Sequence, residues 1–501
     1  MFHHKITARV KLIAVIALGA LFFCAEIHAA AAAVRKDSFL SQLLAARGFE
    51  TQPDAQKNAA FILKSGIITD PVNNLASPVA RIDALRWAVQ SLGLSTTARI
   101  LADVNLADVG VNFRDAATLS SYERGCLIVA ARMRPPIFQD SAANFWPKQN
   151  ISQEEARVIL TNVRSASQLT RLELKFSPAP GMELEIFREG TFSNIPKWRV
   201  HVDGFNEKSE VDALQRTFAS QGFRMESSNP NYEWRLSSAL LDDYARVRSL
   251  LALAERHGKS ARVLSSLQNT NLEKQPFYWA LLTISPGSYF MEPIIAPGGV
   301  STLAPLSAIA RNSSVSAALN AGFFGVSGRN RGAPIGTLRI DNVMLNRPYQ
   351  GRTCLGWSKD NRAAFGEVSW DGKSLNDGDP HWNSMDNIIQ AGPFLIRNGE
   401  IGIESEGFNN SILNLRHPRS VMGLTQEGRW FFFVGDGRDG MHSAGFTLQD
   451  VAVILKRKGA AYALNLDGGG SSQLMIGDKI FNSPSERRER PISYAVAAKR
   501  K

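Results

Sequence analysis

Towards its C-terminal end the chain carries Asn465-Leu-Asp-Gly-Gly-Gly-Ser-Ser472, where a carboxylate, three glycines and two hydroxyls follow one another. Glycines at a strand end let backbone N–H groups turn inward and approach a ligand closely, as an anion nest requires. Gly468, Gly469 and Gly470 supply that freedom, Ser471 and Ser472 add hydroxyl donors, and Asp467 adds a fixed carboxylate. The run is not a Walker loop, since it has no Gly-Lys-Ser/Thr and no helix signal directly after it. Asn320-Ala-Gly-Phe-Phe-Gly325 places an amide beside small residues at another strand end. Arg416-His-Pro-Arg-Ser420 carries two guanidiniums three positions apart, with Pro418 between them, and Asp436-Gly-Arg-Asp-Gly440 adds Arg438 after an apolar strand. Guanidinium forks suit phosphate, and paired aspartates suit acid–base or nucleophilic work at a sugar carbon. Each segment alone also reads as a structural turn. Their shared place at strand ends of one region favours a site.

The grammar around these segments is that of a mixed α and β region running from about 276 to 501. Asn398-Gly399 and Gly477-Asp478 sit between short apolar runs and predict two-residue hairpins. Thr447 with Asp450 predicts a capping box, Leu448, Val451, Ala452 and Leu455 an apolar helix face, and Gly459 the stop. A second helix is expected over Ser301 to Arg311. Upstream, residues 180–266 read strand–helix–strand twice, which predicts a small ferredoxin-like βαβ-βαβ unit, with Ser265 to Gln275 as a polar linker. Residues 38–170 read as helical with a loose internal repeat, Pro78 and the Ser152/Glu155 capping box marking helix starts. The fold class is α+β.

Composition bounds the rest. With 44% hydrophobic residues the 501-residue chain can fill several cores, and its net charge of +11 is spread rather than blocked. That charge suits polyanions such as phosphorylated glycans; no nucleic-acid module is legible, so no nucleic-acid partner is expected. Three cysteines cannot frame a disulfide scaffold, and Cys126 and Cys354 are expected as buried free thiols. Lys5, Arg9 and Lys11, the apolar run Leu12 to Cys24 and the Ala-rich stretch after it read as a signal peptide over residues 1–29. Export follows, to the periplasm or cell wall, with no membrane span after cleavage. No cofactor is expected. A divalent cation near Asp436 and Asp467 stays open, though their spacing fits no EF-hand and no zinc motif occurs. His417 and His442 have polar neighbours that would suit catalysis, but a lone histidine is more often a hydrogen-bonded structural residue, and both are left out of the catalytic set.

Residues about 276–501 resemble the phosphodiester glycosidase domain family, found in the mannose 6-phosphate uncovering enzyme and in bacterial exopolysaccharide-associated proteins. The segments carrying the resemblance are Asn320-Ala-Gly-Phe-Phe324, Gln390-Ala-Gly-Pro393, Arg416-His-Pro-Arg419, Gly435-Asp-Gly-Arg438, Asn465 to Ser472 and the tail from Asn482-Ser-Pro484 to Arg490-Pro491. It implies hydrolysis of a sugar, such as N-acetylglucosamine, from a sugar-1-phosphodiester. On that reading Arg416, Arg419, Arg438 and the Gly468–Ser472 loop hold the phosphate. Asp467 and Asp436 activate water or stabilise an oxocarbenium-like centre, in an order left open, and Asn320 orients the sugar or the nucleophile. The helical segment is similar to S-layer homology repeats, with Val79-Ala-Arg-Ile-Asp83 and Ile151-Ser-Gln-Glu-Glu155 as their closing motif. The 180–266 unit looks like the sporulation-related repeat. Both resemblances imply peptidoglycan or wall-polysaccharide partners. The competing readings are a phosphoglycan-binding or exopolysaccharide assembly protein without catalysis, and a phosphodiesterase cleaving P–O.

Overall fold

Strand Trp430–Gly435 is buried at every position, the pattern of a strand covered on both faces. Its side chains divide by alternation. Trp430, Phe432 and Val434 enter the principal core, while Phe431 and Phe433 pack with Leu448, Val451, Ala452 and Leu455 of helix Leu448–Arg457. Each such side chain, fully buried, contributes about 2–3 kcal/mol of apolar transfer. The Thr447/Asp450 capping box starts that helix as expected. The computed structural model describes residues 33–501 except 139–142, 206, 230–233, 267–274, 312–314, 372–374, 376–379 and 487. The expected signal peptide, with Cys24, lies outside the described residues.

Trp430–Gly435 sits in a nine-stranded antiparallel sheet. Outward on one side follow Phe277–Ile284, Met182–Glu189, Arg171–Phe176 and Met133–Arg134; on the other follow Arg419–Thr425, Ala460–Asn465, Phe394–Arg397 and Glu400–Ile401. Two five-stranded sheets complete the C-terminal half, one of them centred on Ala317–Asn320 between Leu474–Ile476 and Tyr494–Arg500. The Asn398-Gly399 hairpin forms with both residues at positive φ, +51° and +79°. The helix expected from Ser301 begins only at Leu306, because Ser301 is in a turn at φ +74°.

The ferredoxin-like unit is present over Lys197–Ser266. Its four antiparallel strands run in the order Met225–Ser228, Trp234–Ser238, Lys197–Phe205, Ser260–Ser266, with helices Lys208–Ser220 and Tyr244–Arg256 packed on one face. Its start is later than position 180. Met182–Glu189 belongs to the large sheet and pairs directly with Phe277–Ile284, Glu189 facing Phe277. The unit is therefore inserted in the connection of a hairpin of the large sheet, and the boundary read at 276 cuts between paired strands.

The helical segment shares the principal core with that sheet, from Val34 to Ala498. The two motifs read as equivalent lie side by side: Ala80 bridges Asn150, Ile151 N–H donates to the Val79 carbonyl at 3.0 Å, and Arg81 pairs with Glu155. A third segment joins them, as Val79 N–H donates to the Val34 carbonyl ahead of helix Lys36–Ala46. The helix after Pro78 begins at Arg81, since Pro78 bridges Arg35 in extended conformation. Cys126 and Cys354 are buried and in no disulfide among the described residues.

Candidate active site

Strand Ala460–Asn465, paired on both sides, delivers Asp467 and the glycine loop to one end of the sheet. Neighbouring strands hold that exit. Leu466 N–H donates to the Ser420 carbonyl at 2.8 Å, Asp467 N–H to the Ala321 carbonyl at 2.9 Å and Gly469 N–H to the Pro418 carbonyl at 3.0 Å. The buried Asn320 amide closes the clamp. Its Nδ2 donates to the Asp467 carbonyl at 2.6 Å, and its Oδ1 accepts from Ser420 Oγ at 2.7 Å and Gln473 N–H at 3.1 Å. Through these contacts Asn320 positions the loop.

Two glycines of the loop make room for arginines. A Cβ on Gly469, which is at φ +62°, would lie 3.1 Å from Arg438 Nη2, and one on Gly470 would lie 2.3 Å from Arg490 Cζ. Both guanidiniums therefore rest against the loop. Arg438 also lies with Nη2 3.3 Å from His417 Nδ1. The His417 Nε2 faces the Ser411 carbonyl at 3.1 Å, so the ring accepts from Arg438 and donates to Ser411. Burial, with Arg419 and Arg438 nearby, holds its pKa below the usual histidine range. Arg490 Nε donates to Glu486 Oε1 at 3.0 Å.

Asp467 is the titratable group of this cluster. Burial pushes its carboxyl up to about 6, against the Ser471 hydroxyl, Arg490, the Gly468 N–H and Arg438, which favour the ionised form. A half-buried carboxyl poised there can exchange a proton with a reacting group near neutral pH. The Ser472 hydroxyl is buried in the loop without a hydrogen-bond partner among the described residues.

Asp436 has a different place. It is buried, and its carboxylate faces His442 Nε2 at 2.8 Å and accepts from Asn482 Nδ2 at 3.0 Å and Ser483 N–H at 2.7 Å. Asn482 passes the contact on, donating to the Ser472 carbonyl at 2.9 Å and accepting from Leu474 N–H at 3.0 Å. Asp436 thus braces the far end of the glycine loop, and the structure places it there rather than in the lining of the cleft beside the loop. Among the described residues no group of three His, Cys, Asp or Glu side chains comes together as a metal-ligand set.

The Arg416/Arg419 pair is also placed outside that lining. Arg419 is buried and spends its donors on the carbonyls of Phe446, Ile412 and Leu415 at 3.0, 2.8 and 2.8 Å. Arg416 bonds Asp450 at 2.8 Å and the Gly445 carbonyl at 3.0 Å and covers the Phe277 ring. Both tie loops to the sheet, and of the three expected arginines only Arg438 borders the site.

A cleft of about 300 Å³ opens beside the loop, lined by Arg438, Arg490 and Glu486 and, from the inserted unit, by His201, Arg235 and Arg262. The second set was not foreseen. Its only trace in the sequence is charge at alternate strand positions, and nothing local says which face of that sheet meets the loop. Arg490 lay within the tail segment noted above, without a role.

Residues 313–499 match the phosphodiester glycosidase family model, and this part of the chain carries a domain of that family. An uncharacterised prophage-derived protein of Bacillus subtilis is 36% identical over 80 residues, 16% of this chain and 12% of its own length. The mouse N-acetylglucosamine-1-phosphodiester alpha-N-acetylglucosaminidase is 27% identical over 115 residues, 21% of this chain and 22% of its own. The chain thus spans less than a quarter of either relative. The catalytic domain of the zebrafish N-acetylglucosamine-1-phosphodiester alpha-N-acetylglucosaminidase, solved with its auto-inhibiting pro-peptide, is 22% identical, with a TM-score of 0.39 over 46% of this chain and 80% of that one.

Proposed function

We propose that this protein is an exported, wall-associated glycosidase that hydrolyses an N-acetylglucosamine-like sugar from a sugar-1-phosphodiester in an envelope or exopolysaccharide glycan. The observation that carries the reading is Asp467, its carboxyl raised to about 6, beside two guanidiniums that border one cleft. A phosphodiester whose C–O bond breaks leaves as a phosphomonoester, taking the bonding electron pair. Arg438 and Arg490 neutralise the charge that departs, and the Gly468–Ser472 loop offers short-range donors. Asp467 takes the proton of the water that adds to the anomeric carbon, or steadies the oxocarbenium-like centre before it adds. The helical repeats would hold the enzyme at wall polysaccharide and raise local substrate concentration. No helix among the described residues is long and apolar enough to cross a membrane.

The test is hydrolysis of an N-acetylglucosamine-1-phosphodiester by the full chain in oxygen-18 water, with both products weighed by mass spectrometry. Label on the sugar is expected. Label on the phosphate would make the protein a phosphodiesterase, and no turnover across wall-derived phosphoglycans would leave it a binding protein.

A further inference from the structure

The cleft beside Asp467 has one wall that belongs to the inserted four-stranded unit. Strand alternation decides which side chains form it. Val200, Val202 and Leu236 point towards the two helices of the unit, so their neighbours His201, Arg235 and Ser237 project from the opposite face, and Arg262 is the cross-strand partner of His201. That face is turned to the glycosidase domain. Arg262 Nη1 donates to the Glu486 carbonyl at 2.7 Å, and Glu486 in turn carries Arg490. The buried Asp203 stands behind, accepting from Arg235 Nε at 2.8 Å and lying 3.4 Å from Arg262 Nε.

Charge in the cleft exceeds what one phosphodiester needs. Its lining holds five arginines, 235, 262, 331, 438 and 490, and a single carboxylate, Glu486. Arg438 and Arg490 rest on the glycine loop and serve the scissile phosphate, which carries one negative charge. Arg262 is held between Asp203 and Glu486. Arg235 has only its Nε engaged with Asp203, and Arg331 is exposed and forms no side-chain bond among the described residues. Crowding of cations is visible at His201: burial, then Arg235 and Arg262, pushes its pKa down to about 4, so it stays neutral where the arginines do not.

Resting on the glycosidase reading above, we propose that Arg235 of the inserted unit and Arg331 form a second anion subsite, and that the preferred substrate carries a further phosphate beyond the scissile phosphodiester, as a repeating sugar-phosphate polymer does. The inserted unit is then part of the substrate-binding site of this chain and not a spacer.

The experiment compares three N-acetylglucosamine-1-phosphodiesters on the full chain, with methyl, glycerol and glycerol-phosphate arms. The neutral glycerol arm separates size from charge. The phosphate arm is expected to raise kcat/KM over the glycerol arm by about tenfold or more, mainly through KM, since one well-made charge-assisted contact is worth about that factor. The ratio should fall towards one in Arg331→Ala and in Arg235→Gln, and should shrink as ionic strength rises. Equal kcat/KM for the two arms, or a ratio untouched by both substitutions, would overturn the subsite. Should none of the compounds turn over, the glycosidase reading fails separately. Calorimetric affinities of the unaltered chain for the same three compounds then decide the subsite by the same ratio, and absence of binding counts against it.

Discussion

On the proposed reading Asp467 carries the proton chemistry, and its raised pKa makes two linked demands. A carboxyl moved from an ordinary 3.8 to about 6 in the folded chain binds more protons folded than unfolded between those values. Stability therefore falls as pH rises through that window, and the cost of the buried charge is fully present above it. Asp467→Asn removes the charge. It should raise Tm by a few degrees at pH 8 and by nothing at pH 4, roughly the scale of a modest free-energy gain in a chain of this size. The same variant should lose turnover by about a thousandfold or more if the carboxylate moves the proton or faces the developing cation. In the unaltered enzyme kcat/KM should climb through about pH 6 as Asp467 ionises. Retained activity in the Asn variant would remove Asp467 from the mechanism; a Tm gain equal at both pH values would contradict the raised pKa.

At the scale of elements, the pairing of Met182–Glu189 with Phe277–Ile284 sets what can be cut. A fragment of residues 276–501 would strip three strands from one side of the sheet, Met182–Glu189, Arg171–Phe176 and Met133–Arg134, and leave Phe277–Ile284 as its new edge. Tyr278, Ala280, Leu282 and Ile284, buried in the principal core, would lose part of their cover along a bare edge. That fragment should aggregate on size exclusion, whereas residues 33–501 should elute as a folded species; a monodisperse, cooperatively melting fragment would show that the edge tolerates loss of its partner.

Legibility followed the range of the interactions. The Asn398-Gly399 turn, the Thr447/Asp450 box and the doubled strand–helix–strand are short-range signals, and all formed. The glycine loop was legible as a tight turn at a strand end because its composition is local. The roles of Arg416, Arg419, Asp436 and Asn320 were not, because each is set by a partner far along the chain: Asp450, Phe446, Asn482 and the Asp467 carbonyl. Residue type marked these positions as chemical. Only strand register shows whose donors they had already met.

For the whole molecule, the hairpin connection carries the argument. Glu189 faces Phe277 in register, and a Cβ on Gly190 would meet the Gln275 carbonyl at 2.3 Å, so the chain leaves and re-enters the large sheet at one place. An insertion between adjacent, close ends can be removed without moving the strands that bear Asp467. Replacing residues 197–266 by a short Gly-Ser linker should leave a folded protein. The excision uncovers the site where Trp198 Nε1 donates to the Ser65 carbonyl at 2.8 Å, so some loss of Tm is expected. It should not touch the clamp of Asn320, Ser420 and Pro418 on the glycine loop. Turnover of the methyl phosphodiester should persist, while the advantage of a phosphate-bearing arm disappears with Arg235. If the excised protein folds, by circular dichroism and a cooperative melt, yet keeps that advantage, the extra charge is read elsewhere in the cleft. If it folds and loses all turnover, the inserted unit shapes the reacting centre itself.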